Sequence, residues 1–268
     1  MMWSLRGLAK YWLYSAVPGF AGRFPYYGTT VHFPPRAPLF RVICRNGRFE
    51  PEIIDRLIQL ARPDTTVFDV GANLGLMAIP VLHACGSCRV VSFEPSPNSL
   101  SFLRQTMSGA SFGDRWVLIE KALSDKPGEL AFTIGRPEDA LFEGFKSGDR
   151  IDQPRTIPVT VSTLDDEWRG LGKPPVSAVK IDVEGAELQV LDGARAMLAD
   201  QRPAVLVEWH EAYLRRFDTP PATLLEVAHQ YRYQIFTVPH GVPVADAAAL
   251  RVQMMSCQNF LLLAEGEQ

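Results

Sequence analysis

Long hydrophobic runs are missing from this 268-residue chain. No stretch reaches the roughly eighteen apolar residues a membrane-spanning helix needs. Cysteine is scarce: only Cys44, Cys85, Cys88 and Cys257. That is too few for a disulfide scaffold and fits a reducing compartment, so a cytoplasmic location is expected. Cys85-Gly-Ser-Cys88 is a lone pair, and one pair cannot close a four-ligand zinc site. A redox or metal role is therefore disfavoured for it. A charge excess is missing too. Lys and Arg total 27 against 30 Asp and Glu, a net charge of −3. Nothing here leaves a basic footprint for nucleic acid. No internal repeat or low-complexity segment occurs. The first twenty residues lack the long apolar core and small-residue cleavage site of a signal peptide.

What is present suits a large core. Hydrophobic residues make up 47% of the chain, which argues against disorder. The length fits one α/β domain with an appended arm. Residues 1–48 read as that arm and residues 49–268 as the main domain. The arm begins "MMWSLRGLAKYWLYSAVPGF", with Trp3, Trp12 and Tyr14 beside Arg6 and Lys10. A helix from Met1 to about Tyr27 is expected. It would either pack on its own domain or rest peripherally on a membrane surface.

From Thr66 the pattern becomes regular. "TVFDV", "RVVSFE" and "RWVLIEKAL" (Arg115–Leu123) read as strands. Between them lie apolar stretches at helical spacing. Pro80 should bend or shorten the first helix. Ser96 or Asn98 would cap the second. "GELAFTI" and "IPVTVSTL" are further strands. "SAVKIDV", a helix through Ala199, "AVLVEWH", a helix near Pro221–Gln230, "YQIFTV" and "QNFLLLA" complete the chain. Alternating strands and helices predict a mostly parallel sheet with helices on both faces. Ligands in such folds sit outside the carboxyl ends of the strands. Asp69, Glu94, Asp182, Glu184 and Glu208 would all lie on that rim.

The turn "DVGANLG" (Asp69–Gly75) joins a strand to a helix. Gly71 permits close backbone approach, and free N–H groups at the helix start can hold a charged group. The turn is not G-x-G-x-x-G, because Asn73 takes the middle-glycine position. A pyrophosphate is therefore disfavoured. Glu94 ends the next strand, where an acid suits a ribose diol. A carboxylate, a ribose and no phosphate describe S-adenosylmethionine better than NAD.

The blocks "VFDVGANLGLMAI", "VVSFEPSPNSL", "KALSDKPGELAF", "VSTLDD" and "VKIDVEGAELQVLDGA" resemble the FkbM-type S-adenosylmethionine-dependent methyltransferases. The resemblance covers roughly Phe49 to His210. It implies a Rossmann-like class I fold: a seven-stranded sheet with a reversed last strand. It also implies methylation of hydroxyl groups on sugars, glycolipids or polyol natural products. Gly71, Asn73 and Gly75 would hold the methionine moiety, with Asp69 supporting the turn. Glu94 would bind the ribose, and Lys121 and Ala122 would lie near adenine. Asp182 and Glu184 would face the methyl donor and the acceptor.

Strand alternation puts Lys180, Asp182 and Glu184 on one side, and Glu208 and His210 on one side. If the two strands are neighbours, their tips bring these acids and the histidine into one polar cluster. Methyl transfer from a sulfonium is an in-line displacement in which the hydroxyl proton must leave. Asp182, Glu184, Glu208 and His210 are the candidates to take it. Quieter roles stay open. Glu184 would cap the helix starting near Gly185, Asp182 would orient the cofactor's amino group, and His210 would be a neutral histidine at a strand end. A second version of the cluster is a magnesium or manganese site built from Asp182, Glu208 and His210. No metal is required by the spacing.

The stretch 135–156 is long, polar and dotted with Phe142 and Phe145. It reads either as a lid over the acceptor or as a surface insertion. Two rival functions remain on this sheet: a nicotinamide-dependent oxidoreductase and a non-catalytic cofactor-binding domain. No Tyr-x-x-x-Lys pattern supports the first.

Overall fold

The computed structural model describes residues 4–34, 37–137, 143–145, 151 and 153–266. It opens with helix α1 (Leu5–Ala16), capped by Ser4, whose hydroxyl accepts from Gly7 N at 3.0 Å. The expected helix to Tyr27 stops there. Strands β1 (Arg23–Tyr26) and β2 (Thr29–His32) form an antiparallel hairpin instead. Tyr27 and Gly28 both take positive φ at its turn, as a tight two-residue connection requires. Helix α2 (Pro38–Asn46) ends at Gly47, which is left-handed, and α3 (Pro51–Leu60) follows. Phe24, Phe33 and Phe40 then interlock, with Phe33 stacked on Phe40 at 4.2 Å. These rings share one buried cluster with Ile79, Val81 and the sheet residues Val67 and Val90.

Strand β3 (Thr66–Val70) is buried along its whole length. Helix α4 (Ala78–Ala84) starts late and has seven residues. Pro80 lies in its first turn, where its missing N–H costs nothing. Strand β4 (Arg89–Phe93) leads to α5 (Pro97–Gly109), capped by Ser96. Between α4 and β4 the structure bonds Cys85 to Cys88, with Cα atoms 5.4 Å apart. The short loop brings the two cysteines within bridging distance. The pair therefore no longer speaks for a reducing compartment.

The strand expected over Arg115–Leu123 is two. Strand β5 (Trp116–Ile119) stays with the main sheet, while β6 (Ala122–Leu123) joins β7 (Gly128–Ile134) and β8 (Arg155–Ser162) in a side sheet ordered β6-β8-β7. Ala122, Phe132, Ile134, Val159 and Val161 form a small core of their own there, which draws the chain away. Helix α6 (Leu164–Gly170) and strand β9 (Val176–Ile181) follow. The single helix expected through Ala199 is broken into α7 (Glu187–Asp192) and α8 (Arg195–Gln201) at Gly193. A Cβ on Gly193 would sit 2.1 Å from Ser124 O, so the chain must kink where the side sheet crosses it. Strand β10 (Ala204–Glu208), helices α9 (Glu211–Leu214) and α10 (Thr223–Tyr231), strands β11 (Tyr233–Val238) and β12 (Pro243–Val244), helix α11 (Ala247–Met254) and strand β13 (Asn259–Ala264) complete the fold.

The main sheet is ordered β12-β11-β13-β10-β9-β3-β4-β5. Strands β10, β9, β3, β4 and β5 run parallel. The last strand, β13, is antiparallel to both neighbours, β10 and β11. This is the expected reversed topology, with one strand more than seven because the two-residue β12 extends the edge. Alternate residues feed two cores. Phe68, Val91, Val179 and Val205 face α6, α7, α8 and α10, whereas Val67, Val90, Ala178 and Leu206 face α3, α4 and α5. The chain runs outward from β3 to β5 on one side and returns through β9 on the other. The crevice between the tips of β3 and β9 is thus the topological switch point.

Candidate active site

The glycine turn sits in that crevice. Gly71, Asn73 and Gly75 all have positive φ. A Cβ on Gly71 would lie 1.9 Å from Asp182 O, and one on Gly75 would lie 2.5 Å from Trp116 Cζ2. Only glycine lets the turn press against the tip of β9 on one side and the indole on the other. Gly71 N and Ala72 N donate to Phe93 O at 3.1 and 3.0 Å, which ties the turn to β4. Glu94 completes the tie. Its oxygens accept from Asn73 N at 2.8 Å and Ser96 N at 2.7 Å. Burial pushes the Glu94 pKa up to about 7, against the pull of those two N–H groups. Beside it lies a carboxylate the sequence reading missed. Glu143 is buried and accepts from Asn98 Nδ2 at 2.6 Å, Gly135 N at 3.0 Å and the Ser96 hydroxyl.

At the other end of the rim a single cation organises the acids. Lys180 Nζ is 3.3 Å from Asp182 Oδ2 and 3.6 Å from Asp69 Oδ1, and donates to Gly71 O at 3.1 Å. Burial works against the Lys180 ammonium, but Asp182, Asp69 and Glu50 outweigh it and hold its pKa above the ordinary value. Asp69 is fully buried, and that burial raises its pKa despite Lys180. Asp69 therefore supports the turn through Lys180, which holds Gly71 O.

Glu208, at the tip of β10, carries a buried Oε2 with no hydrogen-bond partner among the described residues. Burial, then the charges of Asp182, Glu187 and Glu184, push its pKa well up. Glu184 has φ +58 and lies 3.8 Å from Arg216 Nη1. The capping role considered for Glu184 belongs to Glu187, whose carboxylate accepts from Val183 N and Gly185 N, both at 3.0 Å. The helix starts later than the sequence suggested, so the acid three residues on meets the free N–H groups. His210 is not among the residues that line the cavity with these acids. Its ring lies 4.6 Å from Tyr213, and Tyr213, not His210, lines the cavity.

Glu50 was missed entirely. It stands just before α3 in a left-handed conformation, φ +33. From there it joins Asp182, Glu184 and Glu208 in the wall of the cavity. Burial and the neighbouring Asp182 raise its pKa to about 7, with Lys180 opposing. Its partners lie 130 residues away in sequence, so no local pattern betrays it. The one available signal is that it is the first acid in the chain.

These groups surround one cavity of about 330 Å³. By strand order, Glu208 and Asp182 mark one end, the Gly71 turn the middle, and Phe93, Ala122 and Phe132 the other. Lys121 also lines it, its Nζ paired with Glu167 at 2.7 Å. Much of the expected lid (138–142, 146–150 and 152) lies outside the described residues, Phe142 included. Glu143, Gly144 and Phe145 are described and line the cavity. Among the described residues no group of three or more His, Cys, Asp or Glu is placed to hold a metal ion. His210, third member of the set considered for one, packs on Tyr213.

Residues 69–235 match the methyltransferase FkbM domain. The chain belongs to the FkbM methyltransferase family. The 2-O-methyltransferase NoeI of Sinorhizobium fredii is 27% identical over 196 residues, spanning 68% of this chain and 78% of NoeI. The hexuronic acid methyltransferase AglP of Haloferax volcanii is 27% identical over 169 residues, 62% of this chain and 64% of AglP. Among solved structures, an FkbM methyltransferase from Methylobacillus flagellatus superposes with a TM-score of 0.48 at 15% identity. That match covers 83% of this chain and 52% of the other. This FkbM family member is thus a methyltransferase, and the family's methyl donor is S-adenosylmethionine. The residues fit that donor. The turn lacks a Cβ where the backbone must come close, the acids complement a sulfonium, and the Phe93 end is apolar enough for a purine.

Proposed function

We propose that this enzyme transfers a methyl group from S-adenosylmethionine to a hydroxyl oxygen of a sugar or related polyol. The observation that carries the reading is the single cavity that joins the glycine turn to the acids of β9, β10 and Glu50. The sugar-directed names of NoeI and AglP support the acceptor class. We assign the catalytic unit to residues 49–268, with residues 1–48 closing one wall through Leu39 and Val42.

When bound, S-adenosylmethionine supplies an electrophilic methyl on a positive sulfur. Gly71, Asn73 and Gly75 would seat its amino-acid end. Glu94 would hold the ribose through the lone pairs left free by its two backbone bonds. Ala122, with the Lys121 stem, would border the purine. Asp182, held by Lys180, would face the reacting groups. Glu50, its pKa raised to about 7 by burial and by Asp182, would accept the hydroxyl proton. Glu208, whose burial among other acids favours its neutral form, would donate a hydrogen bond to the acceptor. Glu184 completes that wall, and His210 would act on it through Tyr213, against which its ring packs. Such a base contributes about 10²–10⁴-fold, while positioning reaches effective molarities of about 10⁵–10⁸ M. Orientation is the larger part.

Calorimetry tests the cofactor. S-adenosylhomocysteine should bind and NAD should not; the reverse would restore the oxidoreductase. Binding without turnover on any glycan would favour a non-catalytic domain. Turnover abolished by EDTA and restored by magnesium would establish the divalent-ion version of the site, with Asp182, Glu208 and His210 as its candidate ligands.

A further inference from the structure

Helix α1 is built inside out. Its inner side holds Gly7, which is buried, and Tyr11 and Tyr14, which pack on Phe40 at 6.0 and 6.1 Å. A helix on a water-facing surface should carry polar residues on the other side. Here Leu5, Leu8 and Trp12, spaced to share one face, are 87%, 46% and 67% exposed. Ala9 and Ala16 are exposed too, and Phe20, just beyond the helix, is 49% exposed. Arg6 and Lys10 flank this apolar face and are exposed.

The charge around it is one-sided. Residues 1–49 hold seven of the 27 basic residues and none of the 30 acids. Arg23, Arg41 and Arg45, on the elements next to α1, are exposed. Apolar bulk with tryptophan at its centre and cations at its margin is the composition of a helix lying in a lipid headgroup layer. At 1.5 Å per residue its 12 residues span about 18 Å, too short to cross the roughly 30 Å of a bilayer core. Among the described residues no helix is long and apolar enough to span a membrane. A second copy of the chain is a poorer occupant, because the cationic margin would meet itself under two-fold symmetry.

We propose that α1 docks this enzyme on the surface of an anionic membrane, with Leu5, Leu8 and Trp12 sunk among the lipids and Arg6 and Lys10 at the phosphates. This goes beyond the acceptor assignment and does not depend on it. Helix α2 packs on α1 and supplies Leu39 and Val42 to the cavity, so docking would set the active-site wall one helix away from the lipid.

Vesicle flotation of the full chain tests this. Vesicles of phosphatidylcholine mixed with phosphatidylglycerol should carry the protein up, and phosphatidylcholine alone should not. The triple variant Leu5→Ser, Leu8→Ser, Trp12→Ser should lose at least about tenfold in binding. Trp12→Ser alone serves if the triple variant melts early. Arg6→Ala and Lys10→Ala should each lose about fivefold, and added salt should mimic them. Absence of flotation on anionic vesicles, or flotation undiminished in the apolar variants, would overturn the proposal. So would a sedimenting dimer that the triple variant turns into a monomer while neither floats, because the face would then belong to a second copy.

Discussion

Two regions of this molecule invert the ordinary rule of folding in opposite directions. The strand-tip rim turns charge inward: Asp69, Lys180, Glu94 and Glu187 are buried there, and Glu208 nearly so. The N-terminal helix turns Leu5, Leu8 and Trp12 outward. The rim is acidic around one lysine, whereas the first 49 residues hold no acid. Burying ions costs several kcal/mol each unless they are paired. Exposing three large apolar side chains forgoes about 1.5–3 kcal/mol apiece. Both costs lie in the free chain and are relieved by something that binds. On the readings proposed above, that is a cationic cofactor and a hydroxyl at the rim, and lipid at the helix.

Removing the cation that organises the rim should have the largest effect on the fold. Lys180→Met leaves the fully buried Asp69 and the partly exposed Asp182 without a counter-charge, and should lose about 3–5 kcal/mol in urea unfolding. A loss below about 1 kcal/mol would show that Asp69 is protonated and needs no partner.

Next comes turnover. Asp182→Asn keeps the shape and removes the charge. Its rate should fall by at least about 10²-fold with cofactor saturating, while the thermal midpoint barely moves. Near wild-type methyl transfer would remove Asp182 from the reaction. Gly71→Ala should abolish S-adenosylhomocysteine binding by calorimetry, since its Cβ would stand 1.9 Å from Asp182 O.

The rim should also respond to pH in an unusual sense. Glu50, Glu94 and Glu187 have folded pKa values raised to about 7. A carboxyl raised on folding destabilises the native state where it is ionised, and the penalty fades as it takes up a proton. Between about pH 8 and pH 5.5 the free chain should therefore gain stability as pH falls, read as a rising thermal midpoint. Turnover should run the opposite way, dropping as pH falls through about 7 when the base is protonated. Glu50→Gln should flatten that acidic limb. A limb left unchanged would pass the proton-accepting role to another acid.

The smallest effect belongs to the helix. Leu5→Ser, Leu8→Ser and Trp12→Ser together should move stability by no more than about 0.5 kcal/mol per site. They should leave turnover on a soluble acceptor intact. A larger loss would mean that this face is covered in the free protein, and the contrast with the rim would collapse.

Much of the parallel core was legible because its signals are local. "TVFDV" and "SAVKIDV" are mostly apolar runs, as strands covered on both faces must be. Glycines at Gly71 and Gly75 announce a turn that tolerates no Cβ. Less legible was anything set by crossing elements. Gly193 breaks a helix because Ser124 passes over it. Ala122 and Leu123 leave the main sheet because Phe132 and Val161 offer another core. His210 satisfies strand alternation on paper, yet it lies beyond the end of β10 and follows the turn into α9.

By itself, then, the sequence determined the class of sheet, the position of the cofactor turn and the acids at the strand tips. Hydrophobic period and glycine placement act over a few residues and can be read in one pass. Only the tertiary structure decided which acids share a cavity. Glu50 reaches Asp182 because α3 packs against the sheet, Glu143 meets Glu94 because both bond Ser96 at the start of α5, and Lys180 is tied to both Asp69 and Asp182. Electrostatic coupling depends on distance in space and on the exclusion of water, and neither is written in the order of residues along the chain.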